Sequence, residues 1–280
     1  MNTNKENTMS DSLDRQFIEL HEQGLLLLAN CWDPGSARIA ARAGAPALAT
    51  SSAALAWSHG YPDGGKLPPH LLVETASRIA ATNPLPLTVD MEDGYSDDPD
   101  EAARVADELM VVGVVGINIE DGAGTPELMC EKLAAIRRAA QKRAVSLFIN
   151  ARCDVYLRGL APEGGRVAAV LERAARYQEA GASGLFVPGL RDPGEIAAIV
   201  AGTSLPLNVM AVPGLPPLAQ LRELGVRRLS AGSAIAEGMF GYVKGVTEHF
   251  LATGTLDAPP AGPARYSELN AWMEGPEGAA

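Results

Sequence analysis

Residues 86–120, PLTVDMEDGYSDDPDEAARVADELMVVGVVGINIE, contain one complete unit of the pattern that runs through this chain. A short apolar run at 86–90 precedes an amphipathic stretch at 99–112, and a second apolar run follows at 115–120. The two runs have the length of strands, and the stretch between them has the apolar spacing of a helix. Gly113, just before the second run, suits the left-handed end of that helix. The unit therefore predicts a strand, a helix and a second, parallel strand.

The same alternation continues along most of the chain. Eight apolar runs have strand length, at 25–29, 46–50, 86–90, 115–120, 146–152, 184–188, 206–210 and 227–230. Helical patterns follow them at about 35–44, 68–82, 99–112, 126–142, 164–180, 192–201, 216–224 and 233–253. Eight strands, each followed by a helix, predict an α/β fold, the parallel eight-stranded (β/α)8 TIM barrel. A doubly wound open sheet is disfavoured, because Asn30-Cys-Trp-Asp-Pro stands where a glycine-rich phosphate loop would follow the first strand.

No composition break divides the chain into two large domains. We expect residues 1–14 to be a disordered N-terminal segment and residues 15–254 to form the catalytic barrel. Residues 255–280 are then a C-terminal tail with a short helix at 266–274, YSELNAWME. The full length of 280 residues suits one such barrel, since these domains commonly have about 250 residues.

The composition excludes several classes of function. Apolar residues make up 47% of the chain and aromatic residues 5%, which is typical of an aliphatic core between a parallel sheet and its helices. A net charge of −11 disfavours nucleic acids and anionic membrane surfaces as partners. The N-terminus lacks the apolar segment of a signal peptide, and three cysteines without motif spacing are typical of reduced thiols. We therefore expect a cytoplasmic protein that binds a small molecule.

Polar residues lie two positions apart at the carboxyl ends of three successive strands: Asp90 and Glu92, Asn118 and Glu120, and Asn150 and Arg152. The active site of a barrel lies at this end of its strands. Carboxylates from neighbouring strands supply the oxygen ligands that Mg2+ takes, with Mn2+ as the alternative ion. The predicted metal ligands are Asp90, Glu92 and Glu120. Zinc is disfavoured because no His or Cys stands near them.

The charged residues next to the predicted metal ligands are interpreted one by one. Asp93 and Asp121 directly follow the strand-end carboxylates, so they face the other way and are expected to be loop or supporting residues. For Arg152 two interpretations stay open. It either faces the substrate or forms an ion pair at the barrel rim with Glu120 or Asp154.

Five segments, in this order, resemble the isocitrate lyase/phosphoenolpyruvate mutase superfamily: TSSAALAWSHGYPDG at 50–64, TVDMEDGY at 88–95, GINIED at 116–121, FINARCD at 148–154 and PLNVMAVPG at 206–214. The resemblance extends over about residues 15–255. It implies that Mg2+ is held mostly through water by the three predicted ligands. The chemistry it implies is formation or cleavage of a bond beside the carbonyl of a 2-oxo acid, through a metal-bound enolate.

The resemblance also implies roles for individual residues. The substrate carboxylate would bind hydroxyl and backbone N–H groups of Thr50, Ser51 and Ser52. Asp63 would lie near the metal waters and the reacting carbon. Arg152 would neutralise the oxygen on which charge develops, and Asn208 would contact the distal part of the substrate. The resemblance further implies a homo-oligomer, a dimer or tetramer, in which subunits exchange the C-terminal helix of the barrel, here residues 233–253.

The chain departs from the family at the residues that carry acid–base chemistry. The lyases have a gating loop of the Lys-Lys-Cys-Gly-His type after strand four, where this chain has Asp121-Gly-Ala-Gly-Thr-Pro126. The strand-two tyrosine of the lyases is Leu48, and the glutamate after the strand-six proline is Gly189. The metal and carboxylate platform is kept, whereas the acid–base residues of the lyases and mutases are not.

Three hypotheses follow. The first is a lyase or hydrolase acting on a C–C bond of a 2-oxo or 2-hydroxy acid with roughly two to five carbons, because burying additional carboxylates without cations is costly. The second is a phosphoenolpyruvate or phosphonopyruvate mutase or hydrolase, which would need a cation for the phosphonate. The third is a 2-oxo acid-binding protein with little turnover, which the lost loop residues favour.

Overall fold

In a computed structural model, which describes residues 12–257 and 262–274, nine short parallel strands form one sheet. They are β1 (Leu26–Leu28), β2 (Asn30–Cys31), β3 (Leu48–Thr50), β4 (Leu87–Asp90), β5 (Gly116–Glu120), β6 (Phe148–Arg152), β7 (Gly184–Phe186), β8 (Leu207–Met210) and β9 (Arg228–Ser230). β1 pairs with β9 and β2 pairs with β3, so these two pieces, interrupted at Ala29, act as one strand that closes the barrel. The predicted (β/α)8 barrel is confirmed.

Helices surround this barrel. Those in the described residues are α1 (Leu13–Glu22), α2 (Pro34–Arg42), α3 (Ser52–Ser58), α4 (Pro69–Thr82), α5 (Pro99–Val111), α6 (Pro126–Arg143), α7 (Arg166–Glu179), α8 (Pro193–Gly202), α9 (Leu218–Glu223), α10 (Ala234–Thr253) and α11 (Tyr266–Met273). Residues 1–11 of the predicted N-terminal segment lie outside the described residues, whereas Leu13 and Asp14 belong to α1. No helix within 12–257 and 262–274 is long and apolar enough to cross a bilayer.

The short helix α3 differs from the sequence prediction, which places this segment in the loop after the second strand. Ser51 caps the helix, since its Oγ accepts a hydrogen bond from the Ala54 N–H at 3.4 Å. The residues of α3 from Ser52 to Trp57 are buried, and five of these six are apolar. A helix that is apolar on every face lacks the amphipathic spacing by which helices are recognised in a sequence.

Polar side chains occupy the interior of the barrel beneath its carboxyl end. The Asn150 amide donates to Asn118 Oδ1 at 2.9 Å and to Asn208 Oδ1 at 3.0 Å. Arg228, which is 1% exposed, donates from Nη2 to the same Asn118 oxygen at 3.1 Å. The apolar core lies outside this layer, between the strands and the helices. The strands therefore carry a polar network directly below the place where a site is expected.

The C-terminal tail returns to the barrel rim. The Ala264 N–H donates to the Glu237 carbonyl of α10 at 3.0 Å, which directs the chain toward α3. In α11, Leu269 is fully buried, and the Tyr266 ring packs edge-on against Trp57 at 5.4 Å between ring centroids. The tail is thus packed against the barrel next to the loop that follows β3.

We expect the protein to form a dimer or tetramer through α10. In the single chain this helix exposes 60% of Tyr242, 48% of Val243, 47% of Phe250 and 78% of Leu251. Apolar residues that a monomer leaves in water favour burial against a second copy. Light scattering should give a multiple of the 29.2 kDa chain mass at micromolar concentration, and Phe250→Glu should shift the population toward monomer. A stable wild-type monomer would contradict the prediction.

Candidate active site

A cavity of about 460 Å³ opens at the carboxyl end of the barrel. Its charged and hydroxyl lining comprises Ser51, Ser52, Asp63, Asp90, Glu92, Glu120, Arg152, Arg158 and Tyr266, together with Ser230 and Ser233. Phe186, Pro188, Leu157 and Met210 supply apolar wall on the opposite strands. The cavity thus has one strongly acidic side and one apolar side, at the position where barrel enzymes have their active sites.

Asp90 is held in place by the strand before it. Its N–H donates to Thr50 Oγ1 at 3.0 Å, and its Oδ2 accepts from Ser52 Oγ at 3.1 Å. Burial raises the pKa of Asp90, and the nearby Asp63 carboxylate adds to this while Arg152 opposes it. The carboxylate therefore sits where a positive charge would stabilise its ionised form.

Glu92 follows the end of β4 in a left-handed backbone conformation, with φ of 50°. This conformation is uncommon for a residue with a side chain, and such strain is concentrated at functional sites. The Glu92 side chain accepts a short hydrogen bond from the Gly65 N–H, which ties it to the loop after α3. Burial, followed by Asp63 and Asp90, raises the pKa of Glu92 to about 7.

Glu120 and Arg152 form an ion pair across neighbouring strands, with Nη1 to Oε2 at 2.5 Å. Arg152 also donates to both oxygens of Asp154, from Nε at 2.7 Å and from Nη2 at 3.1 Å. Burial raises the pKa of Glu120 to about 8 even though Arg152 acts in the opposite direction. The ion pair expected at the barrel rim is present with both Glu120 and Asp154, and Arg152 also lines the cavity, so that contact with a substrate stays a prediction.

Asp63 faces the cavity from the loop after α3. Its Oδ2 accepts from the Tyr266 hydroxyl at 2.6 Å, and its N–H donates to Asn270 Oδ1 at 3.0 Å. Its second oxygen, Oδ1, is buried and has no hydrogen-bond partner among the described residues. A buried acceptor without a partner is costly, so this atom is suited to a bound water or ligand group.

The cavity supplies carboxylate oxygens, the type of ligand that hard divalent cations take. Among the described residues no group of three or more His, Cys, Asp or Glu side chains is arranged to hold a metal ion. The carboxylates of Asp90, Glu92 and Glu120 each have a hydrogen-bond or ion-pair partner of their own, Ser52, Gly65 and Arg152 respectively. Mg2+ retains several waters and reaches part of its protein ligands through them. The raised pKa values of Glu92 and Glu120 and the unpartnered Asp63 oxygen indicate a place where a cation would relieve repulsion.

The family model described as phosphoenolpyruvate phosphomutase matches residues 17–251. The chain belongs to this family. An uncharacterised protein of Mycobacterium tuberculosis strain H37Rv is 39% identical over 223 residues, which cover 78% of this chain and 81% of the relative. An oxaloacetate decarboxylase of Pseudomonas aeruginosa strain PAO1 is 33% identical over 219 residues, covering 74% of each chain.

Solved structures agree with this assignment. A Burkholderia cenocepacia J2315 protein provisionally named a phosphonomutase superposes with a TM-score of 0.80 at 38% identity, covering 85% of this chain and 98% of that one. Oxaloacetate acetylhydrolase in complex with oxalate superposes with a TM-score of 0.79, covering 95% and 96%. Because the two sequences are only 23% identical, this similarity bears on the fold alone. The protein is thus an enzyme of the isocitrate lyase/phosphoenolpyruvate mutase superfamily, as the motifs predict.

Two residues to which the family resemblance assigns a substrate contact lie outside the cavity wall. Asn208 is completely buried in the barrel interior, where its amide donates to the Val209 carbonyl, the Arg228 carbonyl and Ser230 Oγ. Asn208 is absent from the cavity lining among the described residues, and its contact with the distal part of a substrate stays a prediction. Thr50 is also buried, and its hydroxyl accepts the Asp90 N–H, so it orients a carboxylate rather than lining the cavity.

Sequence reasoning missed several side chains of the cavity wall, among them Arg158 and Tyr266. Arg158 lies in the turn after β6, its side chain is 47% exposed, and its Nε contacts Asp154 Oδ2 at 3.2 Å. Its position six residues after Arg152, at the carboxyl end of a barrel strand, is a signal that could have found it. Tyr266 lies 203 residues from its partner Asp63, and no local pattern connects the two.

Glu92→Gln should stabilise the metal-free protein at pH 8. A carboxyl whose pKa is raised on folding binds its proton more tightly in the folded state, so its ionisation lowers stability as the pH rises from about 4.5 through about 7. Removing the charge should raise the free energy of unfolding by ~1–3 kcal/mol at pH 8, and the gain should shrink toward pH 5. Thermal unfolding in EDTA measures this. Glu74→Gln, at an exposed glutamate of α4, is the control. An equal change in the free energy of unfolding for the two variants would contradict the raised pKa of Glu92.

Proposed function

We propose that the protein is a Mg2+-dependent lyase that cleaves a C–C bond in a small 2-oxo dicarboxylic acid of the size of oxaloacetate. The observation that carries the proposal is the cavity that Asp63, Asp90, Glu92, Glu120 and Arg152 line together. Mn2+ is the alternative ion. The similarity to an oxaloacetate decarboxylase over 74% of the chain supports the same substrate class.

The residues around the cavity suit the two ends of such an acid. Ser51 lies at the start of α3 and lines the cavity, where its hydroxyl can donate to the carboxylate beside the carbonyl, whereas the N–H and hydroxyl of Ser52 already donate to Asp90. Arg158 stands at the mouth, half-exposed, and can meet the distal carboxylate. This arginine offers a positive charge on the side of the cavity where the lyases' gating-loop cations are missing.

Cleavage requires that negative charge can form on the carbonyl oxygen. When the C3–C4 bond of an oxaloacetate-like acid breaks, CO2 leaves and the bonding electrons move to the C2 oxygen, giving an enolate that takes up a proton at C3. Arg152 is fixed by Asp154 and does not need to reorganise as this charge develops. A divalent ion bound by the carboxylates would polarise the same oxygen as a Lewis acid.

A C–P reaction is the second candidate, and the phosphonomutase name of one similar structure is what favours it. A phosphonate carries up to two negative charges at its distal end. Arg158, which already shares its charge with Asp154, is the cation there, and the 121–126 loop contains no basic residue. One partly neutralised guanidinium suits a carboxylate better than a dianion. Release of inorganic phosphate from phosphonopyruvate would favour the second candidate.

A ligand screen with and without Mg2+ tests the proposal. Oxalate, pyruvate and oxaloacetate should raise the melting temperature more than isocitrate does at equal concentration, since a ligand at 100 times its Kd adds ~2.7 kcal/mol. Oxaloacetate should be consumed at a rate on the order of 1 s⁻¹ or faster. Asp90→Ala should abolish the Mg2+-dependent part of oxalate binding. Binding without turnover of any acid would instead indicate a 2-oxo acid-binding protein.

Arg158→Gln should raise the KM for oxaloacetate about tenfold or more, because loss of a charge-assisted hydrogen bond costs about 1.5–3 kcal/mol. Oxalate, which is too short to reach the mouth of the cavity, should bind the variant with unchanged affinity. Arg104→Gln, a change in an exposed ion pair of α5, is the matched control. Equal weakening of oxalate binding and oxaloacetate binding would contradict a role of Arg158 at the distal end of the substrate.

A further inference from the structure

The tail helix α11 holds Asp63 at two points. The Tyr266 hydroxyl donates to Asp63 Oδ2 at 2.6 Å, and Asn270 Oδ1 accepts the Asp63 N–H at 3.0 Å. One contact fixes the carboxylate and the other fixes the backbone of the loop that carries it. Tyr266 itself lines the cavity, so the first turn of α11 is part of the cavity wall.

α11 is itself anchored on α3. Asn270 Oδ1 also accepts a hydrogen bond from Trp57 Nε1 at 2.7 Å, and the Trp57 ring packs edge-on against Tyr266. Leu269, on the same helix, is fully buried. A side chain held by packing and by a second hydrogen bond loses little further freedom when it positions another group.

These contacts leave Asp63 with one free acceptor. With Oδ2 bonded to Tyr266 and the N–H bonded to Asn270, Oδ1 is the atom without a partner among the described residues, and it is buried. Rotation of the carboxylate would break the Tyr266 bond, so the contacts select a single orientation. The oxygen that a substrate or a bound water meets is thereby chosen by the tail.

We propose that Tyr266 and Asn270 are positioning residues that act through Asp63, and that the tail helix completes the active site by fixing residues 61–65 over the cavity. The expected effect on kinetics rests on the proposed function. The structural link between the tail helix and residues 61–65 is independent of that function.

Hydrogen–deuterium exchange tests the link without any substrate. Asn270→Ala removes the acceptor of the Asp63 N–H, so peptides spanning residues 61–65 should exchange at least severalfold faster than in the wild type. Tyr266→Phe keeps the ring against Trp57 and removes only the hydroxyl, and it should give a smaller increase in the same peptides. Arg104→Gln, which breaks an exposed ion pair of α5 away from the tail, is the control. Unchanged exchange of residues 61–65 in both tail variants would overturn the proposal.

A double-mutant cycle tests the action through Asp63. Tyr266→Phe should lower kcat for oxaloacetate about tenfold, with KM changed less than about twofold, since small misplacement of a reacting group reduces rate rather than binding. In an Asp63→Ala background the same substitution should have no further effect. Additive losses, or an unchanged kcat for Tyr266→Phe, would overturn the proposal. If the wild-type protein turns over none of the acids, the proposed function fails and the exchange result alone decides the positioning role.

Discussion

Repulsion among four carboxylates is the constraint on which the arrangement of the site depends. Asp63, Asp90, Glu92 and Glu120 line one cavity, and the pKa values of Glu92 and Glu120 are raised to about 7 and 8. Like charges in a partly dehydrated space cannot all ionise without compensation. The Ser52 hydroxyl, the Gly65 N–H, the Arg152 guanidinium and the Tyr266 hydroxyl each bind one of these carboxylates. Each of these donors therefore stabilises the negative charge of its carboxylate and also fixes the position of that side chain.

A chain of buried polar contacts supports this arrangement from the side of the barrel wall that faces the helices. Arg152 is oriented by Asp154, whose N–H donates to Asp121 Oδ1 at 2.9 Å. Asp121 in turn is bound by Arg173 at 2.5 Å and by the Tyr177 hydroxyl at 2.6 Å, both from α7. The neighbours Glu120 and Asp121 thus serve opposite sides of the barrel wall, one facing the cavity and the other facing the helices. Charge-assisted hydrogen bonds of this kind are stronger than neutral ones and hold the guanidinium where it is needed.

Local periodicity explains how much of this could be predicted. The eight strands, the helices after them, and Asp90, Glu92, Glu120 and Arg152 at strand ends follow from spacing within about ten residues. Helix α3 was missed because it is buried on all sides from Ser52 to Trp57, and the spacing along β8 does not reveal that Asn208 faces the interior polar layer. Tyr266 was missed for another reason. Its partner Asp63 is 203 residues away, and only the folded chain brings the two together.

Two segments outside the carboxylate platform, the turn after β6 and the tail helix α11, contribute to the closure of the site. Gly189 has φ of 84°, and a side chain there would meet the Leu157 backbone N at 3.4 Å, so the turn after β6 occupies the space next to it. That turn brings Arg158 to the mouth of the cavity. On the other side the loop after β5 is short, and α11 covers Asp63 instead. Because Arg158 and α11 lie outside the carboxylate platform, the closure of the site can differ while the platform stays the same.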